Sequence, residues 1–201
     1  RFDTPWMVIC GRPEKCGHTL HVKELYDDLF EDWSKRAPAT DQHPNVTARA
    51  YLEFARGFRF ELIQGWFTQE SFYSPEHNAG SATVRFALEK GGWWERLIDQ
   101  PHRFGKMKAR FKSKDSYRGV WWCPPCVDLL EVKEIWIVEG IFDAIALVHN
   151  DIAAVSAMSS NAFPGDSLKA LIKDRDGGKL PKLVWALDNE PSANAYTRRW
   201  V

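Results

Sequence analysis

The chain has 201 residues, 44% of them hydrophobic with 10 Trp and 12 Phe, so it can bury a sizeable core and is not intrinsically disordered. Its 27 basic and 27 acidic residues give a formal net charge of zero, which argues against a generic polyanion-binding protein. No apolar run approaches the roughly 20 residues of a membrane span, and the first residues lack the pattern of a secretory signal. We therefore expect a fragment of a cytoplasmic protein with no membrane partner.

Two cysteines near the start are the first candidate metal ligands. Cys10 and Cys16 are each followed by Gly, an arrangement similar to one knuckle of a zinc ribbon. Zn²⁺ takes four thiolate or imidazole ligands in tetrahedral geometry, so two cysteines are not enough. Either a second cysteine pair lies upstream of the first residue, or His18 and His21 complete the set.

The next segments predict a helix, a linker and a mixed region. Apolar residues recur at helical spacing over 22–33, so residues 1–35 are interpreted as a zinc-ribbon remnant with a helix. Residues 36–44 have the composition of a linker. Region 45–130 is predicted to be α+β. It contains a short helix capped by Thr47 and ended near Gly57, and strands over 83–88 and 104–111.

A basic segment lies at the end of this region. Its cations occupy alternate positions, so in a strand they would share one face. These residues are Lys106, Lys108, Arg110, Lys112 and Lys114. An ordinary solvated face usually mixes charge signs, whereas five unbalanced cations repel one another. The pattern therefore favours a phosphate-bearing partner.

From residue 133 onward, strands and helices alternate. Short apolar strands are predicted over 135–138, 153–157 and 183–187, helices over 142–149 and 167–173, and a further helix near Ala193. Such alternation implies βαβ crossovers. We therefore predict an α/β domain over 131–201 with a parallel sheet flanked by helices.

Acidic residues follow two of these strands. Glu139 follows the strand at 135–138, and Asp188 and Glu190 follow the strand at 183–187. In an open parallel sheet, functional groups collect at the carboxyl ends of the strands, so neighbouring strands would bring the three acids together. Clustered carboxylates need cations between them, and Mg²⁺ prefers oxygen ligands. Asp143 can support this set or simply favour the helix dipole.

These motifs resemble a known domain. The run from Ile135 to Leu147 contains Glu-Gly-x-x-Asp and is followed by Asp188-Asn189-Glu190, which together are similar to the TOPRIM domain. That domain is shared by bacterial-type primases, type IA and type II topoisomerases, and some nucleases and recombination proteins. The resemblance implies metal-associated catalytic roles for Glu139, Asp188 and Glu190. It covers about residues 133–201, and Glu190 stands where the family has Asp.

Upstream features resemble one group within that family. Bacterial-type primases carry a zinc ribbon, a basic segment and then the TOPRIM domain, and the stretch from Tyr51 to Gly57 resembles an early helix of their core. The order resembles primases or primase–helicases of phages and mobile elements. It implies synthesis of short RNA primers on single-stranded DNA from ribonucleoside triphosphates, with Mg²⁺ or Mn²⁺ and a replicative helicase in cis or in trans. It also implies structural Zn²⁺ at Cys10 and Cys16, with the missing ligands upstream.

Other interpretations use the same residues. A TOPRIM nuclease would use the same acids with water as nucleophile, and a non-catalytic module would only bind nucleic acid. A topoisomerase is disfavoured because no catalytic-tyrosine domain is visible in the sequence. Cys123-Pro-Pro-Cys126 invites a redox or zinc interpretation, but two prolines and no second pair nearby favour a structural loop.

Overall fold

Short helices and strands alternate along the chain in the computed structural model, which describes residues 7–9, 14–17, 19–21, 31–175 and 179–188. The strands are β1 (Met7–Ile9), β2 (Thr19–His21), β3 (Phe67–Ser74), β4 (Ala79–Ala87), β5 (Trp93–Leu97), β6 (Ala109–Phe111), β7 (Glu134–Val138), β8 (Ala154–Ser156) and β9 (Lys182–Ala186). The α-helices are α1 (Trp33–Arg36), α2 (Val46–Ala50), α3 (Phe60–Ile63), α4 (Ile141–Val148) and α5 (Gly165–Asp174). A π-helical turn lies at Tyr51–Ala55, and 3-10 turns lie at Pro101–Phe104 and Lys114–Ser116. Within the described residues, no helix has the length and apolar character needed to cross a bilayer.

The strands in the described part of the chain form three sheets. β1 pairs with β2 in antiparallel orientation, and a second sheet has the order β3-β4-β5-β6. The third sheet has the order β8-β7-β9. Contacts divide the chain into two units: the first comprises Arg1–Tyr51, Gln69–Val84 and Arg96–Ala109, and the second comprises Leu52–Thr68, Arg85–Glu95 and Arg110–Val201. The domain boundaries expected from the sequence stay predictions.

The first unit contains a buried carboxylate, that of Asp99, which joins two segments of the chain by hydrogen bonds. Asp99 accepts hydrogen bonds from the Ser34 backbone N–H at 2.8 Å, the Ser34 hydroxyl at 2.6 Å and the Ala82 N–H at 2.7 Å. Only 5% of Asp99 is exposed. Because a buried carboxylate is tolerated only when it is well hydrogen-bonded, these three donors explain how it remains in the interior.

One local expectation in the region 45–130 was wrong. Thr47 does not cap the helix: it is buried inside α2, and its hydroxyl donates to the Ala37 carbonyl at 2.6 Å, while Asn45 occupies the cap position. The helix continues into the π-helical turn, and Gly57, with φ of +70°, follows it as expected. The strand predicted over 83–88 is confirmed by β4, which ends one residue earlier, at Ala87.

The strand predicted over 104–111 is confirmed only in its last three residues, Ala109–Phe111. Phe104 ends a 3-10 turn and is 1% exposed, and Gly105 turns the chain with φ of +60°. The strand β6 begins only at Ala109. The buried Phe104 and the turn at Gly105 therefore shorten the strand, and the five basic residues do not all lie in one strand.

The second unit contains the βαβ arrangement that the sequence predicted. β7 pairs in parallel with β8 and with β9, and α4 and α5 form the connections. The core beneath this sheet is apolar and consists of Trp121, Ile135, Ile137, Val155, Ala157 and Leu171. The chain therefore has a mixed α/β fold with antiparallel and parallel sheets. The predicted helix over 22–33 falls mostly outside the described residues, and the helix near Ala193 lies entirely outside them.

The pair Gly91-Gly92 gives a stability test of the second unit. A Cβ on Gly92 would lie 2.2 Å from the Ser116 Cβ, whereas one on Gly91 would meet no heavy atom within 4 Å. Gly91 has φ of +69°, so Gly91→Ala should lower the free energy of unfolding by about 1 kcal/mol through backbone strain alone. Gly92→Ala should lower it by about 2–3 kcal/mol through overpacking. Urea denaturation measures both.

The control for this prediction is the double variant Gly92→Ala/Ser116→Gly. It removes the side chain that the new methyl group would strike, so it should recover part of the lost stability. Equal losses for Gly91→Ala and Gly92→Ala would contradict the close contact between Gly92 and Ser116.

Candidate functional site

Two of the three predicted acidic residues follow neighbouring strands of the parallel sheet. Val138, the last residue of β7, is paired with Ala186, the last residue of β9. Glu139 follows Val138 directly, and Asp188 follows Ala186 by two residues. Glu139 is partly buried and Asp188 is exposed. The expectation that these strands are neighbours is therefore confirmed, and both acids leave the same edge of the sheet.

The third acid and any metal coordination stay predictions. Glu190 lies outside the described residues. Among the residues that are described, no three His, Cys, Asp or Glu side chains lie close enough together to hold a metal ion. The roles of Glu139, Asp188 and Glu190 as ligands therefore rest on their positions along the chain.

Ser156, a residue that the sequence did not single out, fixes the backbone at Glu139. Ser156 is fully buried at the end of β8, and its hydroxyl donates to the Glu139 carbonyl at 2.8 Å. The same oxygen accepts a hydrogen bond from the Met158 N–H at 3.0 Å. Because both bonds are local to the carboxyl edge, Ser156 holds the point at which the Glu139 side chain leaves the sheet. The sequence feature that could have indicated this role is a serine at the end of an otherwise apolar strand.

The Gly and Asp of the Glu-Gly-x-x-Asp motif have a capping role. Asp143 accepts a hydrogen bond from the Gly140 N–H at 3.0 Å at the start of α4. A Cβ on Gly140 would lie 2.6 Å from Asp143 Oδ2, so the cap has room because this residue is Gly. Of the two roles open to Asp143, this hydrogen bond supports the stabilisation of the helix start. Its support of a metal stays a prediction.

A cluster of two arginines and one glutamate lies in the second unit. Glu95 is fully buried and accepts from Arg85 Nε at 2.9 Å and from Arg110 Nε. Both guanidinium groups lie over the ring of Trp93, at 4.3 Å for Arg85 and 4.9 Å for Arg110. The three charges sum to +1, and the arginine side chains are 24% and 31% exposed. The cluster therefore presents oriented, partly accessible guanidinium groups, the geometry that phosphate recognition uses.

The remaining predicted cations fall in two different units. Lys106 and Lys108 belong to the first unit, are exposed, and form no ion pair with any residue in the described part of the chain. Lys112 belongs to the second unit, and its ammonium group donates to the Gly91 carbonyl at 3.0 Å. Contacts of Lys106, Lys108, Arg110 and Lys112 with nucleic acid stay predictions.

The proposed zinc ligands are mostly outside the described residues. Cys10 and His18 fall there, and the side chain of His21 is not described. Cys16 lies in an exposed turn and is not in a disulfide bond. Zinc binding therefore stays a prediction.

Among solved structures, a domain of a primase is similar in fold to this chain. The RNA polymerase domain of Mycobacterium tuberculosis primase DnaG is similar to this chain, with a TM-score of 0.54 and 15% sequence identity. The similarity covers 82% of this chain, which spans 65% of the length of that chain. No protein-family model and no curated protein matches the sequence. At this identity the likeness concerns the fold alone.

The Cys123-Pro-Pro-Cys126 loop has the character of a structural loop. Burial, together with the nearby charges of Glu89 and Cys126, raises the pKa of Cys123 to about 12. The Cys123 thiol lies 3.6 Å from the Pro124 carbonyl and 3.8 Å from the Val127 carbonyl, to which it donates. Redox-active cysteines instead have lowered pKa values and react as thiolates. These observations favour the structural interpretation.

Alkylation with iodoacetamide tests this interpretation. Because the pKa of Cys123 is raised to about 12, its thiolate fraction should increase about tenfold per pH unit between pH 7 and pH 11. Cys126 is exposed and should therefore be labelled well before Cys123 at pH 7. Peptide mass spectrometry measures both rates, and the urea-unfolded chain, in which the two should react alike, is the control. Labelling of Cys123 in the folded chain at pH 7 faster than that of either thiol in the unfolded chain would contradict the structural interpretation and favour a redox role.

Proposed function

We propose that this chain is the catalytic part of a TOPRIM-type DNA primase that synthesises short RNA primers on single-stranded DNA. The observation that carries the proposal is the parallel pairing of β7 and β9, which brings Glu139 and Asp188 to one sheet edge. The likeness to the polymerase domain of a primase supports it at the level of the fold. In this proposal the substrates are ribonucleoside triphosphates, and a replicative helicase acts in cis or in trans.

The donor set at the carboxyl edge suits a hard divalent cation. Glu139 and Asp188 supply carboxylate oxygens, the ligands that Mg²⁺ and Mn²⁺ prefer, and we propose Glu190 as the third acid. A bound cation would lower the pKa of the primer 3′-hydroxyl and stabilise the charge on the leaving pyrophosphate. Zn²⁺ at Cys10 and Cys16 is part of the same proposal, as a structural metal.

The chain's own residues would position the reacting groups. Ser156 holds the Glu139 backbone, so the direction in which this carboxylate leaves the sheet is set before substrate binds. Arg85 and Arg110 are oriented by Glu95 and Trp93, and we propose that they contact phosphates of the incoming nucleotide or the template. Preorganised cations stabilise developing phosphate charge without reorganising during the reaction.

A primer-synthesis assay on single-stranded DNA with labelled ribonucleotides tests the acidic residues. Glu139→Gln and Asp188→Asn should each reduce incorporation by about a hundredfold or more, because loss of a metal ligand removes several kcal/mol of transition-state stabilisation. Glu134→Gln is the matched control: Glu134 begins the strand that Glu139 follows, so the same change is made at the opposite end of β7. It should change the rate by no more than about twofold.

The same assay separates the alternatives. Cleavage of the DNA without incorporation, lost in Glu139→Gln, would favour a TOPRIM nuclease. DNA binding without either activity in the parent chain, unchanged in Glu139→Gln, would favour a non-catalytic module. Incorporation that survives both Glu139→Gln and Asp188→Asn would contradict the proposed role of the acidic edge.

The exposed lysines of the first unit give a separate test of nucleic-acid binding. Lys106→Ala/Lys108→Ala should weaken binding to a single-stranded oligonucleotide. It should also reduce the slope of log affinity against log salt by about 1.4, because each phosphate contact on a single strand contributes about 0.7. Fluorescence anisotropy at several salt concentrations measures this slope. The double variant Lys169→Ala/Lys173→Ala, with the same change of net charge on the exposed side of α5, is the control. An unchanged slope, or an equal change in the control, would contradict the assignment.

A further inference from the structure

A basic cleft lies at the amino-terminal edge of the parallel sheet. It has a volume of about 590 Å³, and its lining includes Lys133, Arg175, Lys179 and Lys182. β7 begins at Glu134 and β9 begins at Lys182, and these two residues are paired in the sheet. The cleft is therefore at the opposite end of the strands from Glu139 and Asp188, about 15 Å away along a five-residue strand.

The charges in this cleft are only partly compensated. Lys182 is already paired, with its ammonium group 2.8 Å from Glu134 Oε2. Lys133 and Lys179 are exposed and form no ion pair with any residue that the structure describes. The lining also contains one acid, Glu131, which opposes the cations. The lysines therefore provide positive charge that is available to a ligand.

Arg175 adds a fixed cation to the same cleft. Its Nη2 donates to the carbonyls of Leu129 and Val132, both at 2.7 Å, and its Nη1 donates to the Lys179 carbonyl at 2.6 Å. All these partners are neutral, so the guanidinium charge is held in place without a carboxylate among the described residues. The cleft has four cations and one acid in its lining, and a concave surface with such an excess of positive charge concentrates the electrostatic potential and attracts anions.

The shape and lining indicate the class of ligand. Val132, Leu180 and Pro181 give the cleft an apolar part beside its cations. Its volume falls within the roughly 300–1,000 Å³ of small-molecule sites, and one nucleotide fits such a space. We infer that this cleft binds a nucleoside triphosphate, with the phosphates at Lys133 and Lys179 and the base against the apolar part. The site is distinct from the acidic edge and does not depend on the proposed function.

Isothermal titration of the full chain with ATP in EDTA tests this inference, because the cleft needs no divalent metal whereas the acidic edge does. Lys133→Gln/Lys179→Gln should weaken ATP binding by about tenfold or more, because two charge-assisted contacts are lost. The charge-matched control Lys169→Gln/Lys173→Gln should change it by no more than about twofold. Glu131→Gln should instead tighten ATP binding by a few fold, because it removes a negative charge that repels the phosphates. Circular dichroism of each variant verifies that it is folded.

Several results would overturn the inference. They are an absence of saturable ATP binding in EDTA, an equal loss of affinity in the control variant, and weaker binding in Glu131→Gln. Binding of inorganic tripolyphosphate as tightly as ATP would show that the apolar part takes no base, and would also overturn it. Primer synthesis is a separate readout, so a chain that binds ATP in this cleft but makes no primers would contradict the proposed function alone.

Discussion

The parallel pairing of β7 with β9 is the constraint on which the candidate site depends. Because the strands run in the same direction and Val138 lies opposite Ala186, the residues that follow them emerge at one edge. A shift of one residue in this register would exchange the faces on which the side chains of β9 lie and would remove Trp185 from the apolar core. The buried core therefore fixes the register, and the register fixes the relative positions of Glu139 and Asp188.

The junction between β7 and α4 shows how a short motif combines structural and chemical requirements. Glu139 is held through its carbonyl by Ser156, while Gly140 leaves room for Asp143 to cap the helix. The Gly and Asp of Glu-Gly-x-x-Asp are thus accounted for by local packing and capping. The Glu follows β7 at the edge that β9 shares, and this position is why it is the residue of the motif to which we assign chemistry.

The sequence predicted the βαβ unit well because its signals are local and mutually consistent. Apolar runs of strand length alternate with helical periodicity from residue 133 onward, and the observed β7, α4, β8, α5 and β9 match them to within a few residues. The errors came where tertiary packing overrode a local pattern. Thr47 bonds to a carbonyl ten residues earlier instead of capping its helix, and the buried ring of Phe104 breaks the predicted basic strand.

Charge was the least predictable feature, because a carboxylate can neutralise a cation that is distant in sequence. Arg110 was expected to share an open basic face, yet it is bound to Glu95, a fully buried residue fifteen positions earlier. Two guanidinium groups compensate the burial of this carboxylate, and their bonds to Glu95 and their positions over the ring of Trp93 hold the arginines in place. The net charge of zero gives no information about which cations are paired with acids in the fold. Within the parallel sheet, acids follow the carboxyl ends of the strands and lysines flank the amino ends, so opposite edges of one sheet suit ligands of opposite charge.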